Sequence, residues 1–214
     1  MTYTGDIKIC GLSTLNAIDA LIAGGATHAG FIFFAKSPRH VSVAQASALA
    51  AHAKAGGLIT VAVTVDAGDA ELADIIGTMK PDLVQLHGHE TPARAAEIKA
   101  AFGLPIMKAL AIGNTGDLEK ITLFIGIADR FLLDAKPPQD AVLPGGNAVS
   151  FDWNLVRNLT GVDYLLAGGL DASNARDAIA IASPPGLDIS SGVESAPGVK
   201  DVAKIAAFLK SARA

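Results

Sequence analysis

The stretch from Tyr164 to Ser190, YLLAGGLDASNARDAIAIASPPGLDIS, holds one complete strand–helix unit and the strand that opens the next. It starts with a short apolar run near residues 164–168 that ends in the pair Gly168-Gly169. Residues 173–183 follow as an alanine-rich segment whose apolar side chains recur every three to four positions, the spacing of one helix face. Ser173 stands where an N-cap belongs, because its short side chain can accept from an orphan backbone N–H. Residues 186–190 then return to strand character.

The same alternation extends outward through the chain. Strand-like runs lie near 6–10, 28–34, 58–65, 83–87, 106–111, 130–134, 164–168 and 186–190, and each precedes a helical segment. Those segments lie near 14–24, 42–55, 69–79, 91–102, 117–127, 152–159, 173–183 and 199–212, the last with Val199, Val202, Ile205, Ala206 and Leu209 on one face. Ser42, Asp69, Thr91 and Asp152 are further N-cap candidates. Eight units across 214 residues leave about 27 residues each, enough for a (β/α)8 TIM barrel with few insertions. An open doubly wound sheet is the rival, but it gathers its ligand loops at one switch point. Here polar, charged or glycine-rich sequences follow strands 1, 2, 4, 6, 7 and 8, which favours a ring of loops. No linker divides the chain, so residues 1–214 read as a single barrel domain. Residues 135–149, rich in Pro and Gly, form the longest irregular stretch and a candidate lid or binding loop.

Composition narrows the function classes. Half the residues are apolar and 18% are charged, which excludes a disordered chain. Seventeen basic against 21 acidic side chains, without a Lys/Arg cluster, lack the electrostatic footprint of a nucleic-acid binder. A single cysteine excludes a disulfide framework and a Cys-rich zinc site. The first residues show no basic segment followed by a long apolar run, and no run is long enough to span a bilayer. The expected location is the cytoplasm, with no membrane partner.

Several residues at strand ends are suited to chemistry. Strand alternation turns Ile7 and Ile9 toward the helices and Lys8 and Cys10 toward the barrel interior. Cys10 is then either a base or nucleophile at the rim, with Lys8 a candidate cation lowering its pKa, or a buried structural thiol. Asp134 ends strand 6, where barrels place catalytic groups, although an aspartate there can also cap the next turn. Strands 1 and 6 are three apart around the ring, so Cys10 and Asp134 can flank one ligand as base and acid. Leu166-Ala-Gly-Gly-Leu170 and Asp188-Ile-Ser-Ser-Gly-Val-Glu194 follow strands 7 and 8, where barrels often bind phosphate. Gly168, Gly169, Ser190, Ser191 and Gly192 are the cradle candidates, with Asp188 inward and within reach of sugar hydroxyls. Arg39 offers a planar fork to a carboxylate away from that cradle. Gln85 and His87 share the inward parity, with a packed core histidine the alternative for His87. The remaining histidines, His28, His40, His52 and His89, lack metal-ligand spacing, and Trp153 reads as packing.

Taken in order, Lys8-Ile-Cys-Gly11, Gly30-Phe31 with Ser37-Pro-Arg39, Val84-Gln-Leu-His-Gly88, Leu132-Leu-Asp134 and the two glycine-bearing segments resemble the phosphoribosylanthranilate isomerase family of tryptophan biosynthesis. The resemblance covers nearly the whole chain. It implies an eight-stranded barrel, without metal or organic cofactor, that takes a small phosphorylated aminosugar, as a monomer or homodimer. The implied reaction is an Amadori rearrangement of N-(5-phosphoribosyl)anthranilate to 1-(2-carboxyphenylamino)-1-deoxyribulose 5-phosphate. On that scheme Asp134 protonates the ribose ring oxygen and must stay protonated long enough to donate, while Cys10 needs thiolate character to remove the C2′ proton. Arg39 matches the holder of the anthranilate carboxylate. Two places depart from the family pattern: Asn147-Ala148 stands where Thr-Gly is common, and Val63-Thr-Val-Asp66 ends strand 3 where Phe-Val-Asn is common. The alternatives are another phosphosugar-processing barrel or a non-catalytic phosphate-ligand barrel. A metal-dependent epimerase would need clustered inward His and Asp ligands, and an indole-glycerol-phosphate synthase its own lysine set; neither pattern is present.

Overall fold

A computed structural model describes residues 2–136, 145 and 150–214. Eight parallel strands close into a barrel in chain order: β1 (Asp6–Cys10), β2 (His28–Phe33), β3 (Ile59–Thr64), β4 (Leu83–Leu86), β5 (Ile106–Ile112), β6 (Arg130–Ala135), β7 (Tyr164–Leu166) and β8 (Gly186–Ile189). β8 pairs back onto β1, with Lys8 opposite Asp188, so no edge is left open. Seven α-helices are described: α1 (Leu15–Ala23), α2 (Val43–Ala55), α3 (Asp69–Met79), α4 (Pro92–Phe102), α5 (Thr115–Leu118), α6 (Ala175–Ala182) and α7 (Val202–Arg213). Among the described residues, no helix is long and apolar enough to cross a membrane.

Period-two alternation sorts the strands into two cores. Ile7, Ile9, Ala29, Phe31, Leu133 and Leu187 face outward and pack with helix residues such as Ile18, Leu49, Ile98 and Phe208. Cys10, Val61, Val63, Met107, Leu132 and Leu165 fill the barrel interior instead. The expected parity of the first strand therefore holds.

Helix starts follow local chemistry. Ser42 accepts from Gln45 N and Thr91 from Arg94 N, as N-caps do. Two other assignments shift: Gly68 precedes α3 and Asp69 is its first residue, while Asn174 and not Ser173 precedes α6. Three helical segments are also corrected. Around 117–127 only α5 is α-helical, opened by a capping box in which Asp117 accepts from Asn114 N, and a 3₁₀ stretch over Glu119–Phe124 follows it. Around 152–159 a single 3₁₀ turn, Trp153–Val156, begins at Asp152, since so short a stretch cannot repay helix nucleation. Trp153 packs against the core as expected.

The third correction has consequences for the site. Residues 199–201 are not helical. Glu194–Ala196 (β9) and Val199–Lys200 (β10) form a two-stranded antiparallel hairpin turned by Pro197-Gly198, and α7 starts after its N-cap Asp201. Gly198 has φ +83° and lies so close to the Pro38 carbonyl that a Cβ would clash, which docks the hairpin on the loop after β2.

Candidate active site

The base side of the barrel mouth is built by β1, β2 and β8. Lys8 is fully buried and its Nζ lies 2.7 Å from Asp188 Oδ1. Cys10 stands two residues further along the same inward row, 5% exposed. Gly30 sits opposite Cys10 on β2, and a Cβ there would meet Cys10 Sγ and Lys8 Cε, each at 3.1 Å. Glycine thus leaves room for the thiol and the lysine stem to pack on one side of β2. Ser190 donates to the Cys10 carbonyl at 3.1 Å.

Electrostatics here runs partly against expectation. Burial pushes the Cys10 thiol above the ordinary cysteine range, although Lys8 and Lys200 both pull it down. The expected thiolate character is therefore not produced by Lys8, even with Lys200 beside it. Lys200 itself is held below the usual lysine range, first by burial, with Glu194 opposing.

Arg39 is also differently placed than a free carboxylate anchor. It is buried, and its fork is already engaged: Nε lies 2.7 Å from Glu194 Oε1 and Nη2 lies 2.9 Å from Glu194 Oε2. Glu194 also takes Lys200 Nζ at 2.7 Å, and its carboxyl is held below the usual range by these partners against its burial. Lys200 completes the corner by donating to the Ser190 carbonyl at 2.9 Å.

The acid side is built by β4 and β6. Gln85 Nε2 lies 2.8 Å from His87 Nδ1, and His87 Nε2 lies 3.6 Å from Asp134 Oδ2. Gln85 Oε1 is buried without a partner among the described residues. Asp134 Oδ1 accepts from Ala135 N at 2.8 Å, so this aspartate holds its own turn while Oδ2 faces the histidine. Gly145 lies against the same two side chains, since a Cβ there would come within 2.6 Å of Asp134 Oδ2. The rest of the 137–149 segment, including Asn147 and Ala148, lies outside the described residues.

Asp134 and His87 line a cavity of about 800 Å³ together with Phe34, Asp66, Lys108 and Phe124. Cys10 is not among its lining residues; it packs in the interior layer with Leu132, Ala167 and Ala109, and of these Ala109 borders the cavity. The two sequence candidates share one end of the barrel but have different surroundings. At the cavity wall, Asp66 adopts φ +50° and its side chain accepts from His89 N at 2.7 Å. Asp tolerates that left-handed conformation better than most residues. A buried Lys108–Glu90 pair at 2.7 Å braces the same loops.

The segments after β7 and β8 meet. Gly168 and Gly169 have φ +88° and +64°, and a Cβ on Gly168 would approach Asp134 Oδ1 to 3.1 Å. Gly192 packs so closely on the Leu170 carbonyl that no side chain fits. The two glycine-bearing segments are thus adjacent to each other, and the first touches Asp134.

The model of the N-(5'-phosphoribosyl)anthranilate isomerase family matches residues 7–211. The chain belongs to that family. Relatives named N-(5'-phosphoribosyl)anthranilate isomerase from Mesorhizobium japonicum and Rhizobium meliloti are 59% and 53% identical, over 98% and 97% of this chain and 95% and 97% of theirs. The crystal structure of phosphoribosyl anthranilate isomerase from Thermotoga maritima superposes with a TM-score of 0.86 at 31% identity, covering 98% of each chain. Another solved phosphoribosyl anthranilate isomerase, in complex with reduced 1-(o-carboxyphenylamino)-1-deoxyribulose 5-phosphate, is 29% identical with a TM-score of 0.83, again over 98% of each chain.

Within this member of the family, Lys200 and the pairing role of Glu194 escaped the sequence reading. The periodicity of Val199, Val202, Ile205, Ala206 and Leu209 suggests a helix that runs through residue 200, yet Pro197-Gly198 is a turn signal for the hairpin found there.

Proposed function

We propose that this chain catalyses the Amadori rearrangement of N-(5-phosphoribosyl)anthranilate to 1-(2-carboxyphenylamino)-1-deoxyribulose 5-phosphate, a step of tryptophan biosynthesis. The observation that carries this reading is the 59% identity, over nearly the full length of both chains, with a relative that bears the isomerase name. All of residues 1–214 act as one catalytic barrel, in the cytoplasm, as a monomer or homodimer.

Asp134 donates its proton to the ribose ring oxygen. The ring C1′–O bond breaks, and the anthranilate nitrogen lone pair forms the iminium. Cys10, as thiolate, then takes the C2′ proton, and the resulting enolamine picks up a proton at C1′ as it becomes the ketone. The reaction is an internal redox exchange and consumes no co-reactant. Support for the acid comes from the position of Asp134 on the cavity, with His87 Nε2 beside its outer oxygen. Paired left-handed glycines at 168 and 169, touching the segment of Ser190, Ser191 and Gly192, suit backbone capture of the phosphate. Asp188 turns its Oδ1 to Lys8 and keeps Oδ2 for a sugar hydroxyl. Arg39 serves the anthranilate carboxylate by exchanging part of its fork from Glu194.

The test is to follow the fluorescence of freshly made phosphoribosylanthranilate with wild type, Cys10→Ser and Asp134→Asn. Consumption by wild type and its collapse in both variants is expected. Undiminished turnover in both would refute the mechanism, and no turnover by the wild type would favour a phosphate-ligand barrel without catalysis.

A further inference from the structure

The buried charges beside Cys10 do not balance. Among the described residues, Lys8, Lys200 and Arg39 are positive and only Asp188 and Glu194 answer them, which leaves one positive charge in excess. The side chains of Lys8 and Lys200 are 0% and 1% exposed, and those of Arg39, Glu194 and Asp188 are 6%, 4% and 9% exposed. Water therefore screens this excess poorly. Lys204, on the exposed start of α7, reaches only the backbone carbonyl of Glu194 and adds no buried charge. Inside the cluster, the group that can supply the missing anion is the Cys10 thiol. Its sulfur shares the face of Gly30 with the Lys8 stem, and its backbone carbonyl is tied through Ser190 to Lys200.

We propose that Lys8 and Lys200 are positioning residues whose uncompensated charge is the built-in counter-ion of the Cys10 thiolate. The proposal rests on the reading of Cys10 as the base. Burial, helped by Asp188, holds the sulfur above the ordinary cysteine range, and the two ammoniums offset part of that penalty, one from β1 and one from β10. Neither lysine gives up a proton: the C2′ hydrogen passes to Sγ, and the cluster returns to its excess charge until the thiol ionises again. Asp188 and Glu194 hold the two ammoniums in place and set how much charge remains over.

The chain's single cysteine makes this measurable without substrate. The ultraviolet absorbance of the thiolate, with Cys10→Ser subtracted, comes from one atom. Burial pushes both tyrosines up, Tyr164 to about 12, so phenolates do not intrude near neutral pH. Lys8→Met and Lys200→Met each delete a cation and should move the thiolate midpoint up by about one to three pH units. Glu194→Gln deletes an anion and should move it down. Lys8→Met with Asp188→Asn keeps the net charge, avoids stranding a buried carboxylate should Lys8→Met alone not fold, and should move the midpoint less than Lys200→Met. Midpoints that stay fixed in the folded variants, or move without regard to the sign of the deleted charge, overturn the proposal. So does weaker inhibition by inorganic phosphate in the lysine variants with an unmoved midpoint, which would assign the excess charge to the phosphate. Shifts of the expected sign together with full activity of Cys10→Ser would uphold this inference and refute Cys10 as the base.

Discussion

At the amino-terminal end of the barrel, Arg130 on β6 reaches Asp6 of β1 at 2.6 Å and Asp163 at 2.9 Å, with His28 Nε2 3.4 Å from its Nη1. These contacts join strands 1, 2 and 6 across the bottom. Both carboxylates share the one guanidinium, and His28 stays neutral: burial, helped by Arg130 and Lys8, lowers it to about 4 against the pull of Asp6. At the carboxyl-terminal end the same strands carry Lys8, Cys10 and Asp134, beside an 800 Å³ cavity and an unbalanced charge cluster. One end has its polar groups paired with one another, as in a plug, and its one surplus negative charge falls on the half-exposed Asp163. The other leaves a charge, a carboxyl oxygen and a glutamine oxygen unmatched, the condition for binding something else.

Catalysis and stability should therefore separate by end. Cys10→Ser and Asp134→Asn are each expected to lower kcat/KM by about 10²–10⁴-fold with little change in thermal midpoint. A parallel loss of stability would mean that these side chains are structural, which would erase the contrast. Arg130→Met should do the reverse. Breaking this partly exposed cluster costs about 1–2 kcal/mol, read by urea unfolding, while kcat/KM of the folded fraction stays near wild type. An unchanged urea midpoint would remove the plug.

Acid should act at the lower end first. Because His28 titrates near 4 in the fold and near 6.5 unfolded, the unfolded chain binds a proton that the fold refuses within that window. Stability is then unaffected above about pH 6.5 and falls as pH drops below it, by about 2 kcal/mol at about pH 5. His28→Gln should flatten that slope, and an equal slope in the variant would move the acid sensitivity elsewhere. The smallest effect on turnover belongs to Arg39, in the buried charged corner of the upper end. Arg39→Ala should raise KM for the carboxylated substrate by roughly tenfold, about 1.4 kcal/mol, and also lower the urea midpoint, because it strips buried Glu194 of its paired fork. Arg39→Lys should recover little, because an ammonium lacks the paired fork. Wild-type KM in both would take Arg39 out of the site.

Lys8 and Lys200 illustrate what a sequence can and cannot disclose. Lys8 was legible because strand alternation is a local rule: two residues before Cys10 on one strand means the same face. Its partner Asp188 lies 180 positions away, and only barrel closure brings β8 beside β1. Lys200 was misplaced because helical periodicity continued backward across a turn that Pro197-Gly198 imposes. Arg39 was found as a residue, but its buried fork on Glu194, 155 positions away, follows from how the hairpin docks.

The sequence by itself determined the eight-unit barrel, the strand bounds to within a residue or two, the inward rows and the family, since each depends on periodicity or on motifs short enough to be read in place. Only the tertiary structure decided which charges share a buried space, that Asp134 lines the cavity while Cys10 packs in the interior layer, and that a hairpin delivers a second lysine to the thiol. Electrostatic energy depends on distance and burial, and the closure of a ring sets both between residues that the chain keeps far apart.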